Sequence, residues 1–210
     1  MNPVLAFDGD GVLVDFTTPA LAYMNGNGFP KTLAQVTNWS VFDNNEELEE
    51  AFKREVACQP WFCRNMQAYP GAVEFALAAQ KEYEVVIVTA PYDVAHWYDG
   101  RKDWMVEKLG LSRKKVNFVS EKEYFDSDIL VDDKTTNIQA WANRRSASYG
   151  YEITREFDVP SGRGRHVPIL FEQPWNRNDF VTFNVHRAKS YQGISDILEA
   201  NGFPPVRGTF

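Results

Sequence analysis

The sequence predicts an α/β protein with a Rossmann-like, mostly parallel sheet, helices on both faces and a small helical cap inserted after the first strand. Four short apolar runs end abruptly in polar residues, as buried strands do. They are residues 4–7, 85–88, 116–119 and 129–131. Helix-like stretches lie between these runs, and alternating strands and helices are typical of a parallel sheet covered on both faces.

Two of the intervening stretches carry the helical signal. Residues 71–82 place Ala72, Phe75, Ala76 and Ala79 at intervals of three and four, which favours an amphipathic helix. Residues 103–109 form a second helix-like stretch, which Gly110 closes as a C-terminal stop. Both follow or precede a predicted strand closely enough to cover the sheet.

Residues 16–69 break this alternation and are rich in polar and aromatic residues. A helix is predicted over 45–56, where Leu48, Phe52 and Val56 line one face. We therefore expect a helical cap at 16–69 and a core domain formed by 1–15 and 70–210.

A later stretch, residues 143–168, combines basic residues with acidic ones and is loosened by two glycines; we expect a flap or hairpin there. Its basic members are Arg144, Arg145, Arg155, Arg163, Arg165 and His166.

Composition and charge exclude several classes of protein. Apolar residues make up 44% of the 210 and charged residues 24%, as in a globular protein rather than a disordered one. A net charge of -7 disfavours duplex nucleic acid as a partner. No apolar run reaches 18 residues and no basic leader opens the chain, so we expect a cytoplasmic protein without a membrane partner. The two cysteines, Cys58 and Cys63, match neither a zinc site nor a disulfide framework.

Chemically active side chains follow the predicted strands: Asp8, Thr89, Lys122 and the pair Asp132-Asp133. In parallel sheets, ligands collect at the carboxyl ends of the strands. Gly9 lets the loop after Asp8 wrap a small anion with its N–H groups. Carboxylates cannot approach a phosphate without a cation, and hard oxygen ligands suit Mg²⁺. The sequence thus predicts a magnesium site whose ligands come from the ends of two strands.

Three of these segments resemble motifs one, two and four of the haloacid dehalogenase-like phosphatases. They are Asp-Gly-Asp-Gly-Val-Leu at 8–13, Val-Ile-Val-Thr-Ala at 86–90 and Leu-Val-Asp-Asp at 130–133. Further segments resemble the 5'(3')-deoxyribonucleotidase branch, the cytosolic type C nucleotidases; they are 15–16, 61–65 with 70–72, and 169–176.

The resemblance implies a covalent mechanism. Asp8 would attack phosphorus and form an aspartyl-phosphate, while Asp10 protonates the leaving oxygen and then activates water. Thr89 and Ala90 would hold the phosphoryl oxygens. Mg²⁺ would bind the Asp8 carboxylate, the Asp10 carbonyl and Asp133, with Asp132 supporting them.

The lysine of motif three has several candidates between motifs two and four: Lys102, Lys114, Lys115 and Lys122. We predict Lys122, because it follows the strand at 116–119 and therefore lies at the ligand-bearing edge. Lys102 should lie on a helix, and it stays open as the alternative.

Aromatic residues in the predicted cap suggest a nucleotide substrate. Stacking of one base on an aromatic ring is worth about 1–3 kcal/mol. Phe16 matches an aromatic position that lines the base pocket in the resembling family, and Trp39 and Trp61 are further candidates. The pattern indicates neither the base, nor the 5' or 3' position, nor the oligomeric state.

Two alternatives to a nucleotidase stay open. The first is a phosphatase or phosphotransferase for another small metabolite, which the basic segment at 144–166 favours. The second is a non-catalytic protein-binding module that uses this segment and the tail at 202–210.

Overall fold

Six parallel strands form one sheet in the computed structural model, which describes residues 2–148, 166–182 and 184–210. The spatial order is β3-β2-β1-β4-β5-β6. The strands are β1 Val4–Phe7, β2 Glu84–Thr89, β3 Val116–Phe118, β4 Ile129–Asp132, β5 Val167–Phe171 and β6 His186–Ala188. The predicted α/β class and the four predicted strands are confirmed, and β5 and β6 are additions.

The first strand lies at the centre of the sheet. Phe7 is in register with Ile87 of β2 on one side and with Val131 of β4 on the other. Chain order runs outward from β1 in opposite directions, toward β2 and β3 or toward β4, β5 and β6. Such a reversal opens a crevice at the carboxyl ends of the two central strands. Asp8 is the first residue past β1 and therefore lies at this crevice.

Helices cover both faces of the sheet. They are α1 Thr17–Gly26, α2 Glu46–Phe52, α3 Phe62–Asn65, α4 Ala72–Ala79, α5 Trp97–Leu109, α6 Thr135–Ser148 and α7 Tyr191–Ala200. Successive strand side chains alternate between the faces. Phe7 therefore belongs to the buried cluster that includes Phe75 of α4 and Trp104 of α5, whereas Ala6 belongs to the cluster of Trp141 of α6. Among the described residues, no helix is both long and apolar enough to cross a membrane.

Helix α5 begins six residues earlier than the apolar pattern predicts. Gly110, with φ 64°, ends it as expected. Its first turns contain Gly100, which ordinarily weakens a helix. Here a Cβ at Gly100 would lie 3.0 Å from the Cβ of Cys63 on α3, so the glycine allows the two helices to pack closely. This tertiary contact, rather than local propensity, extends the helix.

Residues 16–69 fold into helical elements around one phenylalanine. The helix predicted over 45–56 is observed as α2 followed by a π-helical turn, Lys53–Ala57. Phe52 is fully buried, and four rings lie with their centroids 5.3 to 5.8 Å from its own. They belong to Phe16, Tyr23, Phe42 and Phe62. The domain boundaries at 16 and 69 stay a prediction, and the expected flap falls mainly on residues 149–165, which lie outside the described part.

Phe52→Ala should destabilise the protein by about 3–5 kcal/mol, because it removes the ring on which four others pack. The measurement is the free energy of unfolding in urea. Phe29→Ala is the matched control, since Phe29 lies in the same region but is 47% exposed. Equal losses for the two variants would contradict the packing described here.

Candidate active site

The turn after β1 is tightly folded around two glycines. The Gly9 carbonyl accepts hydrogen bonds from the N–H groups of Leu13 and Val14, both at 2.9 Å. Gly11 has φ 79°, a left-handed conformation that favours glycine. A methyl group at Gly11 would overlap the carboxylate of Asp133. The turn therefore brings the backbone of the first strand end directly against the fourth.

Lys122 joins the ends of β1 and β4 through its ammonium group. Its Nζ lies 2.7 Å from Asp8 Oδ2 and 2.7 Å from Asp132 Oδ2. The lysine starts a short 3-10 turn after β3, and its side chain is 1% exposed. A buried ammonium is costly unless it is paired and hydrogen-bonded, and two carboxylates satisfy it here. By contrast, Lys102 lies on α5 with Nζ over the ring of Phe118.

Three buried carboxylates form a group that fits a metal ion. Asp8, Asp132 and Asp133 each offer one oxygen, and these oxygens lie within 4.8 Å of one another. The ammonium of Lys122 neutralises one of the three carboxylates. The cluster therefore carries two uncompensated negative charges when all its groups are ionised. A divalent cation with a preference for oxygen ligands would neutralise it.

Burial and the neighbouring charges together shift the proton affinities of the cluster. Burial raises the pKa of Asp8 to about 7, although the charge of Lys122 opposes this shift. Burial, and then the charges of Asp8 and Asp132, raise the pKa of Asp133 well above its usual range. Burial alone would lower the pKa of Lys122, but the charges of Asp132 and Asp8 outweigh it and raise that pKa. The ammonium therefore stays charged, and protons would compete with a metal ion for the carboxylates.

Side chains that follow β5 hold Asp133 in place. Trp175 Nε1 donates to Asp133 Oδ2 at 2.8 Å, and Asn176 Nδ2 donates to the Asp133 carbonyl at 2.7 Å. Gln173 Nε2 donates to the Gly11 carbonyl at 2.7 Å and so ties the same segment to the first loop. The sequence assigned no role to these three residues. All three lie in the segment 169–176, and its resemblance to the 5'(3')-deoxyribonucleotidase branch is the signal that could have found them.

Asp10 is paired with an arginine that the sequence interpretation missed. Arg101 Nη2 lies 2.5 Å from Asp10 Oδ1, and the arginine side chain is fully buried. Burial raises the pKa of Asp10, while the charge of Arg101 acts in the opposite direction. Arg101 lies one helical turn from both Trp97 and Trp104 on α5. This spacing on the buried helix face could have indicated it.

The end of β2 lies next to the same turn. Thr89 is buried, and its Oγ1 lies 3.0 Å from the position that a Cβ on Gly9 would take. Ala90 follows it and is exposed. The threonine hydroxyl therefore faces the loop that carries Asp8.

The three aromatic candidates differ in their surroundings. Phe16 is half-buried, and its ring meets Phe52, Tyr92 and Trp97 edge to face. Trp39 is 56% exposed, and its ring centroid lies 3.7 Å from Nζ of Lys134. Lys134 is the residue that follows Asp133. Trp61 is also 56% exposed and has its ring against Phe62.

Comparison with known proteins assigns the chain to a family. The sequence model of the family described as "5' nucleotidase, deoxy (Pyrimidine), cytosolic type C protein" matches residues 2–203. The chain belongs to this family. The resemblance drawn from the motifs is thereby confirmed, and so is the prediction of a phosphatase enzyme, which the family favours over a protein-binding module.

Relatives and solved structures agree with this assignment. The 5'(3')-deoxyribonucleotidases of Bacillus subtilis strain 168 and of Bacillus phage SPbeta are each 21% identical over 181 residues, or 85% of this chain and 90% of theirs. YfnB of Bacillus subtilis, a HAD-type hydrolase solved with magnesium, has 16% identity and a TM-score of 0.52 over 94% of this chain and 98% of its own. The haloacid dehalogenase-like protein SP0104 of Streptococcus pneumoniae has 13% identity and a TM-score of 0.51 over 92% and 96%. The nucleotidase shares its fold with these hydrolases.

Gly11→Ala should reduce the stability of this nucleotidase more than Gly28→Ala does. Both glycines have positive φ, but a Cβ at Gly28 meets nothing within 4 Å, whereas one at Gly11 overlaps Asp133. The left-handed backbone alone costs about 1–2 kcal/mol for a non-glycine residue. Urea unfolding of both variants separates this cost from that of the overlap. Equal losses would contradict the close approach of Gly11 and Asp133.

Proposed function

We propose that this nucleotidase is a Mg²⁺-dependent phosphomonoesterase that dephosphorylates (deoxy)nucleoside monophosphates through an aspartyl-phosphate on Asp8. The observation that carries the proposal is the sharing of one buried ammonium by the carboxylates of Asp8 and Asp132. This arrangement places a carboxylate at a strand-end crevice with positive charge fixed beside it. A carboxylate nucleophile needs such compensation before it can meet an anionic phosphate.

The covalent step divides the reaction into two transfers. Asp8 Oδ attacks phosphorus, and the bond between phosphorus and the leaving oxygen breaks while Asp10 gives that oxygen a proton. Asp10 then removes a proton from water, which attacks the phosphorus of the aspartyl-phosphate and releases inorganic phosphate. The cycle requires a protonated Asp10 at its start, and burial raises the pKa of this carboxyl group, which favours the protonated form.

Groups at the other strand ends would stabilise the charge of the transferred phosphoryl group. Thr89 would donate its hydroxyl, and the backbone N–H groups near Gly9 and Ala90 would donate to the remaining oxygens. Lys122 would supply a fixed positive charge beside the Asp8 carboxylate, since its Nζ lies 2.7 Å from Asp8 Oδ2. Preorganised donors of this kind supply most of the catalysis in phosphoryl transfer.

Residues at two strand ends would hold Mg²⁺. The Asp8 and Asp133 carboxylates and the Asp10 carbonyl are the proposed ligands, with Asp132 supporting them through Lys122. A bound Mg²⁺ polarises the phosphoryl oxygens and offsets their repulsion from the carboxylates.

The substrate class is supported by the family and by the aromatic residues beside the site. The relatives named above are 5'(3')-deoxyribonucleotidases. Phe16 is half-buried and its ring packs edge to face on Phe52 and Tyr92, while the ammonium of Lys134, the residue after Asp133, lies over the ring of Trp39. We propose that Phe16 stacks on the nucleobase, with Trp39 and Trp61 as further contacts.

Asp8→Asn should lower kcat for nucleoside monophosphates at least about a thousandfold, because removal of a covalent nucleophile costs that much or more in other enzymes. The wild-type protein, quenched with acid during turnover, should carry one phosphoryl group on Asp8 by peptide mass spectrometry. Asp126→Asn, a change at an exposed carboxylate, is the control. Substantial turnover by Asp8→Asn would contradict the covalent mechanism.

Mg²⁺ should stabilise the protein more at pH 8 than at pH 5. Without metal, the folded state binds the Asp8 proton more tightly than the unfolded chain does. The stability from this proton is therefore present below about pH 4 and is lost as the pH rises through the raised pKa, about 7. Above that pKa, Mg²⁺ binds without displacing the proton.

The measurement is the melting temperature with Mg²⁺ or with EDTA at matched ionic strength. Asp133→Asn should weaken the effect of Mg²⁺ at pH 8. A shift in melting temperature that is the same at both pH values, or that Asp133→Asn leaves intact, would contradict the metal site.

Phe16→Leu should lower kcat/KM for nucleoside monophosphates by about fivefold to 150-fold, the equivalent of 1–3 kcal/mol of base stacking. Leucine keeps the position apolar against Phe52, so the fold should persist. The same variant should hydrolyse ribose 5-phosphate as well as the wild-type protein does. Parallel losses on both substrates would argue against base recognition by Phe16.

A further inference from the structure

Arg101 is buried beside Asp10 in a way that packing does not explain. Its side chain is fully buried, and its Nη2 donates to Asp10 Oδ1 at 2.5 Å. The same nitrogen lies 3.4 Å from the sulfur of Met66, and the guanidinium lies 4.8 Å from the ring centroid of Trp97. Among the described residues, Nε and Nη1 of this arginine have no hydrogen-bond partner.

This arrangement is energetically unfavourable for an arginine that only fills space. Desolvating a guanidinium costs free energy that a single ion pair does not fully recover, and apolar replacements of buried ion pairs are often neutral or stabilising. An ion pair on the surface of α5 is much more exposed. Arg113 and Asp99 lie 2.7 Å apart with side chains 48% and 84% exposed. The buried position of Arg101 therefore points to a task at Asp10.

The geometry at Asp10 suggests that task. Arg101 engages Oδ1 of the carboxyl group, and Oδ2 has no hydrogen-bond partner among the described residues. The Asp10 side chain is 27% exposed, so the group is held on one side and open on the other. A carboxyl group that must donate a proton to a leaving oxygen needs one fixed oxygen and one free one.

We propose that Arg101 is a positioning residue that fixes the Asp10 carboxyl so that its free oxygen faces the leaving oxygen of the substrate. The inference rests on the proposed function, because it assigns Arg101 to the proton transfer of that reaction. Helix α5 thereby carries a component of the site, although it contributes no group to phosphorus or to the metal ligands.

The test uses leaving groups that differ in their need for a proton. A nucleoside leaves as a poorly stabilised alkoxide unless Asp10 protonates it, whereas 4-nitrophenolate leaves without a proton. The parameter is kcat/KM, which covers the steps up to departure of the leaving group. We compare the wild-type protein with Arg101→Gln, Arg101→Lys and the control Arg113→Gln. Arg113 lies in the 3-10 turn after α5, and this change breaks its exposed ion pairs with Asp99 and Asp103 of that helix.

Arg101→Gln should lose about tenfold to a hundredfold in kcat/KM for a nucleoside monophosphate but less than about threefold for 4-nitrophenyl phosphate, since general acid catalysis contributes about 10²–10⁴. Arg101→Lys should recover part of the loss, and Arg113→Gln should change neither substrate. If circular dichroism shows that Arg101→Gln is unfolded, Arg101→Lys provides the same comparison of substrates.

Equal losses on both substrates, or no loss on either, would overturn the role of Arg101 while leaving the phosphatase intact. A wild-type protein that hydrolyses neither ester would overturn the proposed function itself. The two failures are therefore distinguishable in one set of assays.

Discussion

The ammonium of Lys122, held between Asp8 and Asp132 at 2.7 Å from each, is the interaction on which the site depends. Parallel pairing of β1 with β4 places their carboxyl ends side by side, and the sequence puts an aspartate at each end. The carboxylate oxygens of Asp8, Asp132 and Asp133 lie within 4.8 Å of one another. Buried carboxylates this close repel one another, and burial also removes their hydration. One lysine offsets part of that charge, and a divalent cation or protons would offset the remainder.

The surrounding residues keep this charged cluster in a single arrangement. Gly11 removes the side chain that would overlap Asp133, and Trp175 and Asn176 fix that aspartate by direct hydrogen bonds. Arg101 on α5 holds the Asp10 carboxylate through a buried ion pair. Each contact links segments distant in sequence, so the cluster is a product of the complete sheet and its helices. The strands and helices that place the charged residues of the site are also those that form the hydrophobic core.

Much of this arrangement follows from local sequence, and the remainder follows from contacts that local sequence does not contain. Apolar runs that stop at Asp8, Thr89 and Asp132 predict both the strands and the edge on which the site lies. The choice of Lys122 over Lys102 followed from the same rule, and the structure places Lys122 against Asp8. The extra strands escaped prediction because β5 contains Pro168, which disfavours a central strand, and β6 has three residues.

Roles carried by long-range contacts also escaped prediction. The bond from Trp175 to Asp133 spans 42 residues, and the ion pair of Arg101 with Asp10 spans 91. Base identity and the boundaries of the cap depend on such contacts too.

A crystal structure of the protein with Mg²⁺ and beryllium fluoride, a mimic of the phosphoryl group, tests the central claim most directly. We expect beryllium bonded to an Asp8 oxygen, with Mg²⁺ on Asp8 and Asp133 and Lys122 still paired with Asp8. Beryllium fluoride bonded elsewhere, or Mg²⁺ bound away from these carboxylates, would contradict it.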